Sequence, residues 1–183
     1  MNLEDILNDI KDEMDKKDKR REEMYALCRE IRRTSTKAIR EVHREDIEKA
    51  TKIFEEAKSL VSTLNESDIN HNFVQESLQE YAEAALTIAF LNKEDLPSPK
   101  DIGATPGAYA LGLADAIGEI RRYILDSIRK GEFSDLDYYI DLMDDIYYGI
   151  MALDYPTALL PIRRKQDMAR ILLEKTRGDV TMA

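Results

Sequence analysis

The sequence has a single cysteine, Cys28, only two histidines and no tryptophan. One cysteine excludes a disulfide within the chain and a zinc site built from several cysteines. Glycine and proline are also scarce, with seven and five among 183 residues. No stretch alternates apolar and polar residues as a half-buried strand would. These absences disfavour disulfide-stabilised and strand-rich classes and favour a helical protein.

Long hydrophobic runs are missing as well. No apolar run approaches the roughly 18 residues of a membrane-spanning helix, so we expect no membrane partner. The opening residues, MNLEDILNDIKDEMDKK, are charged throughout and do not resemble a secretory signal. We therefore expect a cytoplasmic protein. The chain is 43% hydrophobic and 35% charged, and its length suits one domain spanning residues 1–183.

Helix-forming residues dominate the composition, and amphipathic helices joined by short connectors must bury their apolar stripes against one another. The sequence therefore predicts an all-α antiparallel bundle of about six to seven helices. The expected helical ranges are about 2–44, 46–64, 70–92, 106–130, 134–153 and 156–177. The first helix is too long for one small bundle to cover, so we expect its far end to contact another subunit.

Local signals set the expected helix ends. Asp46 and Ser134 are expected to cap the second and fifth helices, and Gly131 to end the fourth. Pro156 is expected to open the sixth helix and Gly178 to end it.

Charge is segregated along the chain. The net charge of −10 argues on its own against nucleic-acid binding. However, residues 28–44 and residues 155–177 each hold six Lys and Arg against two acidic residues. Residues 132–154 hold seven acidic residues and no Lys or Arg. A local basic surface is therefore compatible with the acidic total.

Three glutamates lie in the largely apolar third helix. Glu76, Glu80 and Glu83 are spaced four and three residues apart, which places them on one helical face. A solvated face is the simplest interpretation. Against it, the face has no Lys or Arg, and the neighbouring residues are mostly apolar. A carboxylate site is the alternative.

The fourth helix adds two more acids. Asp115 is the only charged residue between Ile102 and Gly118, and Glu119 follows one turn later. Small residues around them, including Gly112 and Gly118, would let another helix approach closely. Arg122 could neutralise both acids in a purely structural ion network, and this alternative remains open.

Four carboxylates on adjacent helices cannot all remain ionised in a small volume without a cation. The set is Glu80, Glu83, Asp115 and Glu119. Ligand sets made only of oxygen suit Mg²⁺ or Mn²⁺, and such a site supports phosphodiester hydrolysis.

A basic stripe runs along the first helix. Steps of four or three residues place five Lys and Arg on one face, and a sixth, Arg32, lies beside them. The five are Arg29, Arg33, Lys37, Arg40 and Arg44. A solvated face would explain the pattern, but a stripe of this length also suits a phosphate backbone.

Several segments resemble the translin family, and within it the branch of translin-associated factor X (TRAX). They are LCREIRRTSTKAIREVHR (27–44), LQEYAEA (78–84), YALGLADAIGEIRRY (109–123) and LEKTRGDV (173–180). The resemblance covers essentially the whole chain. The basic N-terminal extension and the mid-chain insertion of animal TRAX are missing, which suggests an archaeal version.

The resemblance implies a translin-like fold and an endoribonuclease that needs Mg²⁺ or Mn²⁺ and acts on single-stranded or unpaired RNA. It implies a hollow homo-oligomeric shell of about eight subunits, with basic residues lining its interior. The carboxylates that make TRAX a nuclease match Glu80, Glu83, Asp115 and Glu119, which would be both metal ligands and catalytic residues. The basic stripe and Arg32 would bind RNA.

Other functions remain open. The chain could form a non-catalytic shell that binds single-stranded RNA or DNA, as translin does. An all-α nucleotide pyrophosphohydrolase would also place Glu-x-x-Glu on one helix. Its second motif is usually Glu-x-x-Asp, whereas this chain has Asp-x-x-x-Glu, so that class is less favoured. A purely structural bundle would bind no divalent ion.

Overall fold

The computed structural model describes residues 2–183, and this part of the chain is all-helical, with no β-strand. Five long helices and one of 15 residues form the body, and two helices are only four residues long. In order they are α1 (Leu3–Val42), α2 (Ile47–Val61), α3 (Glu66–Ile69), α4 (Asn72–Leu91), α5 (Pro99–Ile102), α6 (Pro106–Lys130), α7 (Leu136–Met151) and α8 (Arg163–Thr181). The predicted all-α bundle with a long first helix is therefore confirmed. The expected number of helices was too low, because α3 and α5 form within predicted connectors.

Two of the five predicted helix-end signals, Asp46 and Gly131, are confirmed by the structure. The Asp46 side chain accepts a hydrogen bond from the backbone N–H of Lys49 at the start of α2. Gly131 ends α6 in the left-handed region at φ 77°, a conformation that favours glycine. Ser134 is not the cap of α7, because a turn intervenes and Asp135 takes the cap position.

The expected limits of the last helix were wrong at both ends. Residues 156–160 form a turn in which the N–H groups of Leu159 and Leu160 donate to the Pro156 carbonyl. Pro161 disfavours helical geometry in the residue before it, so α8 begins only at Arg163. Gly178 does not end the helix, because α8 continues to Thr181.

The helices enclose two hydrophobic cores, and α4 contributes to both. The first core lies between α1, α2 and α4 and includes Ile31, Phe54 and Leu78. The second lies between α4, α6, α7 and α8 and includes Phe90 and Ile117. The central position of α4 explains its apolar sequence, since a helix surrounded by other helices buries nearly every side.

No helix among residues 2–183 combines the length and the apolar character needed to cross a lipid bilayer.

Candidate functional site

Two partly exposed glutamates lie on the central helix α4. Every residue from Tyr81 to Phe90 is buried except Glu83, and Glu80 one turn earlier is also only partly exposed. Glu76, the third glutamate of that face, is exposed. The predicted face therefore divides into one solvated residue and two that lie in the protein body. The solvated-face interpretation holds for Glu76 alone.

Gly112 brings α6 against α4 next to these glutamates. A Cβ atom added at Gly112 would lie 2.7 Å from the backbone oxygen of Gln79 and 2.8 Å from the backbone nitrogen of Glu83. Such distances are shorter than any normal contact, so only glycine allows this approach. The close approach of small residues expected from the sequence is confirmed at Gly112. It places the acids of the next turns of α6 beside Glu80 and Glu83.

Asp115 on α6 is held at both carboxylate oxygens. Gln79 Nε2 donates to Oδ2 at 2.6 Å, and Lys165 Nζ lies 2.5 Å from Oδ1. Gln79 comes from α4, whereas Lys165 comes from the first turn of α8. Asp115 therefore links three helices, and its charge is compensated by a lysine distant in sequence.

Glu119 is held by the histidine that caps the end of α1. His43 Nε2 lies 2.6 Å from Glu119 Oε2, and Arg122 Nη1 lies 3.6 Å from the same oxygen. The hydrogen bond with His43, followed by the charges of His43 and Arg122, lowers the pKa of Glu119 below its usual value, although burial opposes the shift. Part of the ion network considered from the sequence is thus present, since Arg122 does pair with Glu119.

A cavity of about 390 Å³ opens between α1, α4 and α6. Three of the four predicted carboxylates line it, together with basic and neutral residues. The lining residues are Thr36, Ile39, Arg40, Glu80, Glu83, Glu119 and Arg122. Acidic and cationic side chains therefore line the same cavity.

The pKa values of two glutamates of α4, Glu80 and Glu83, are raised above the ordinary value. Burial is the main cause that raises the pKa of Glu83 to about 8, and the charges of Asp115, Glu119 and Glu80 add to it. Burial also raises the pKa of Glu80, helped by Asp115 and opposed by the nearby charge of Arg32. These mutual effects show that the four carboxylates influence one another across the α4–α6 contact.

The four carboxylates fit a metal ion by their chemistry. In residues 2–183, no group of three or more His, Cys, Asp and Glu side chains already stands in a metal-binding arrangement. Lys165 and His43 occupy oxygens of Asp115 and Glu119 instead. The set nevertheless consists of oxygen donors that Mg²⁺ and Mn²⁺ prefer, and a cation would offset the burial and the neighbouring charges that raise the pKa of Glu83. Metal binding therefore stays a prediction.

The basic stripe of α1 borders the cavity but is not uniform. Arg29, Arg33, Lys37, Arg40 and Arg44 are all exposed, and Arg32 is half-buried. Arg33 pairs with Glu30 at 2.6 Å and Arg44 with Glu41 at 3.1 Å. Acidic partners are thus present at two positions of the stripe. Only Arg40 of the stripe lines the cavity.

Sequence reasoning missed three residues that contact the predicted acids: Gln79, Lys165 and, as a direct partner, His43. Gln79 directly precedes Glu80 on α4, and its neutral side chain carried no charge signal. Lys165 is 50 residues from Asp115, and His43 is 76 residues from Glu119. Their positive or donor character was visible in the sequence, but no local spacing relates them to the carboxylates.

Comparison with known proteins identifies relatives along nearly the whole chain. The model of the translin family matches residues 19–176. The uncharacterized protein MJ0175 of Methanocaldococcus jannaschii is 35% identical over 184 residues, covering 96% of this chain and 82% of that protein. The match includes the helices that form the cavity.

Solved structures share the fold. The structure of AfC3PO in complex with duplex RNA is 28% identical, with a TM-score of 0.85, and the alignment covers 96% of this chain and 95% of AfC3PO. A crystal structure of AfC3PO has the same identity and coverage and a TM-score of 0.84. The crystal structure of apo-NeC3PO is 22% identical, with a TM-score of 0.87 and 96% of each chain covered, and it supports the fold alone.

Proposed function

The chain belongs to the translin family, and from that premise we propose that it binds RNA and cleaves it with Mg²⁺ or Mn²⁺ at the carboxylate cluster. The cluster comprises Glu80, Glu83, Asp115 and Glu119. The observation that carries the proposal is their convergence from α4 and α6 beside a cavity that Arg40 and Arg122 also line.

In this proposal, three groups of residues have different roles. The four carboxylates would hold the cation, which would supply charge neutralisation at a phosphoryl group and activation of a water molecule. Arg40 and Arg122, on opposite helices of the cavity, would bind the phosphates that flank the scissile bond. Lys165 and His43 would orient Asp115 and Glu119 through the contacts they already make.

RNA is the proposed substrate because a protein with this fold has been solved in complex with RNA. AfC3PO has been solved with duplex RNA, and the basic stripe of α1 gives this chain a surface for phosphates. The sequence led us to expect single-stranded or unpaired RNA. Both forms, and single-stranded DNA, therefore belong in the binding experiments.

The assignment to the TRAX branch, with an archaeal source, also remains part of the proposal. It rests on Glu80 and Glu83, because the family resemblance implies that TRAX has this carboxylate pair and translin lacks it. A hollow homo-oligomeric shell of about eight subunits belongs to the same proposal. Its support within this chain is the exposed apolar side of α1, which includes Leu3, 71% exposed, and Leu7, 55% exposed.

A cleavage assay tests the proposal. Labelled single-stranded and duplex RNA would be incubated with the protein and Mg²⁺ or Mn²⁺, against EDTA. We expect metal-dependent cleavage that Glu80→Gln and Glu83→Gln each reduce by at least about 100-fold, without loss of RNA binding. Glu56→Gln is the matched control, because Glu56 is exposed on α2, outside the cavity. Cleavage by Glu83→Gln at the parent rate would refute the site.

A non-catalytic RNA-binding protein is the second candidate, and one observation favours it. Lys165 already pairs with Asp115, and Arg122 already pairs with Glu119, so the cluster is partly compensated without a metal. This candidate predicts RNA binding with no effect of EDTA and no cleavage. Hydrolysis of free nucleotides without RNA cleavage would instead support the less favoured pyrophosphohydrolase.

A further inference from the structure

The buried side of α1 follows a heptad pattern. Six residues separated by alternating steps of four and three line its contact with α2 and α4, and each is at most 2% exposed. They are Met24, Cys28, Ile31, Ser35, Ala38 and Val42. Alternating steps of four and three keep one seam of a helix facing a partner helix over several turns.

The same seam continues toward the start of α1 without a partner. Counting back from Met24 in the same steps gives Arg21, Lys17, Met14, Ile10, Leu7 and Leu3. Arg21 and Lys17 interrupt the seam, and the next four positions are apolar. Their exposed fractions are 51% for Met14, 51% for Ile10, 55% for Leu7 and 71% for Leu3.

The seam is exposed because α1 extends beyond the body of the molecule. At about 1.5 Å per residue, its 40 residues span about 60 Å, twice the length of the 20-residue α4. All residues from 2 to 23 are exposed. In the part of the chain that the structure describes, the first long-range ion pair of α1 is between Arg20 and Asp68.

We propose that residues 3–14 of α1 pair with the same segment of a second copy in antiparallel orientation. Leu7 of each copy would pack on Ile10 of the other, and Leu3 on Met14. A twofold axis between the two helices makes the contact self-complementary, so each of these residue pairs occurs twice. Two apolar layers on each side of the axis would then be removed from water.

Charged residues beside the seam favour the antiparallel orientation. In this alignment Glu4 of one copy lies beside Lys11 of the other, and symmetry repeats the pair. Among residues 2–183, neither Glu4 nor Lys11 has an ion-pair partner within the chain. A parallel alignment in the same register would instead place Glu13 beside Asp18. Like charges at these flanking positions disfavour that orientation.

The charge of the segment also argues against a lipid surface as the occupant. Residues 2–18 hold seven acidic residues and three lysines. Helices that lie on anionic membranes carry an excess of Lys and Arg on the polar face. A second copy of this segment, which provides Lys11 for Glu4, fits the charges better.

The contact is too small to hold two chains together tightly on its own, since stable interfaces bury about 1,200–2,000 Å². It would add to other contacts in an assembly. The inference concerns the self-association part of the proposed function and does not depend on RNA cleavage. The cleavage assay and the association experiments can therefore fail independently.

Cysteine cross-linking tests the alignment. Leu7→Cys and Ile10→Cys variants would be prepared separately and oxidised alone and as an equal mixture. We expect the mixture to form a covalent dimer at least about 10-fold faster than either variant alone, because positions 7 and 10 face each other. The parent chain is the blank, since its one thiol, Cys28, is buried. Faster cross-linking of Leu7→Cys alone would indicate a parallel pair and overturn the proposal.

A charge exchange gives an independent test that leaves the apolar seam intact. Lys11→Glu should raise the dissociation constant of self-association about 5- to 20-fold at low salt, because two attractive pairs become repulsive. Glu4→Lys combined with Lys11→Glu should restore it. Sedimentation velocity over a range of protein concentrations would measure association, and circular dichroism would confirm equal helix content. An unchanged dissociation constant in Lys11→Glu would refute the pairing.

Discussion

At the scale of the residue, Glu83 shows how a buried carboxyl group differs from its exposed neighbours. It lies one turn from Glu80 and faces Asp115 and Glu119 across the contact between α4 and α6. Burial penalises its charged form, and the neighbouring carboxylates increase that penalty. The Glu83 carboxyl group therefore retains a proton at pH values at which an exposed glutamate has lost it.

The raised pKa of Glu83 predicts a pH-dependent stability. Its ordinary value is 4.5 and its value in the folded protein is about 8, so the folded state retains a proton that the unfolded state loses. The stabilisation is complete below about pH 4.5 and is lost as the pH rises through about 8. The loss is at most about 1.4 kcal/mol per pH unit.

Denaturant unfolding between pH 5 and pH 9 without divalent ions would check this dependence. Glu83→Gln should remove the contribution of Glu83, so its stability relative to the parent should increase with pH. The exposed Glu56→Gln should change the stability by a constant amount over the range. If the free energies of unfolding of the parent and Glu83→Gln change with pH in parallel, the raised pKa of Glu83 is contradicted.

Two glycines of α6 give a matched pair of opposite predictions. Gly112→Ala should destabilise the protein by about 1–3 kcal/mol, because its Cβ would collide with the backbone of Gln79 and Glu83. Gly118→Ala should stabilise it by up to about 1 kcal/mol, because a Cβ there meets no atom within 4 Å. Thermal and denaturant unfolding would measure both, and equal effects would exclude a special role for Gly112.

At the scale of the element, α1 combines three surfaces in one helix. Its buried seam packs on α2 and α4, its exposed start carries the apolar segment, and its basic stripe borders the cavity. The stripe was predicted as one continuous surface. The structure divides it, because Glu30 pairs with Arg33 and Glu41 with Arg44, whereas Arg40 lines the cavity.

This division predicts unequal effects on RNA binding. Arg40→Gln should weaken binding of single-stranded or duplex RNA more than Arg33→Gln, since Arg33 is partly neutralised by Glu30. It should also reduce the slope of log affinity against log salt concentration by about 1. Fluorescence anisotropy at several salt concentrations would measure both quantities. Lys52→Gln, an exposed change on α2, is the control, and an equal loss there would indicate non-specific charge attraction.

At the scale of the whole molecule, the carboxylate cluster lies where the two cores meet. The helices α1 and α4 bound the first core, and α6 belongs to the second. His43 links α1 to α6, and Lys165 links α8 to α6 at the same place. A ligand bound at the cluster would therefore bridge helices that belong to the two hydrophobic cores.

Binding of Mg²⁺ or Mn²⁺ at this position predicts a higher melting temperature. A ligand that binds only the folded state at 100 times its dissociation constant adds about 2.7 kcal/mol of stability. The increase should be larger at pH 8 than at pH 6, because fewer protons then compete for Glu83. Asp115→Asn should reduce it, and Glu56→Gln should not. Thermal unfolding with and without each ion would measure the shift, and no shift with either ion would contradict the metal site.

Much of the fold and part of the site follow from local sequence. Helix periodicity, the Asp46 cap and the glycine at position 131 act within a few residues, so the main helices could be predicted from them. The start of α8 could not, because the preference of Pro156 for a first helical turn competes with the effect of Pro161 five residues later.

The sequence by itself determined the helical class, the spacing of Glu80 and Glu83, and the spacing of Asp115 and Glu119, since helical geometry fixes which residues share a face. Only the tertiary structure decided that Lys165 and His43 contact those acids. It also decided that Glu76 remains solvated and that Arg40 borders the cavity. The physical reason is that these contacts depend on how whole helices pack, and no local spacing encodes the meeting of residues 50 or 76 positions apart.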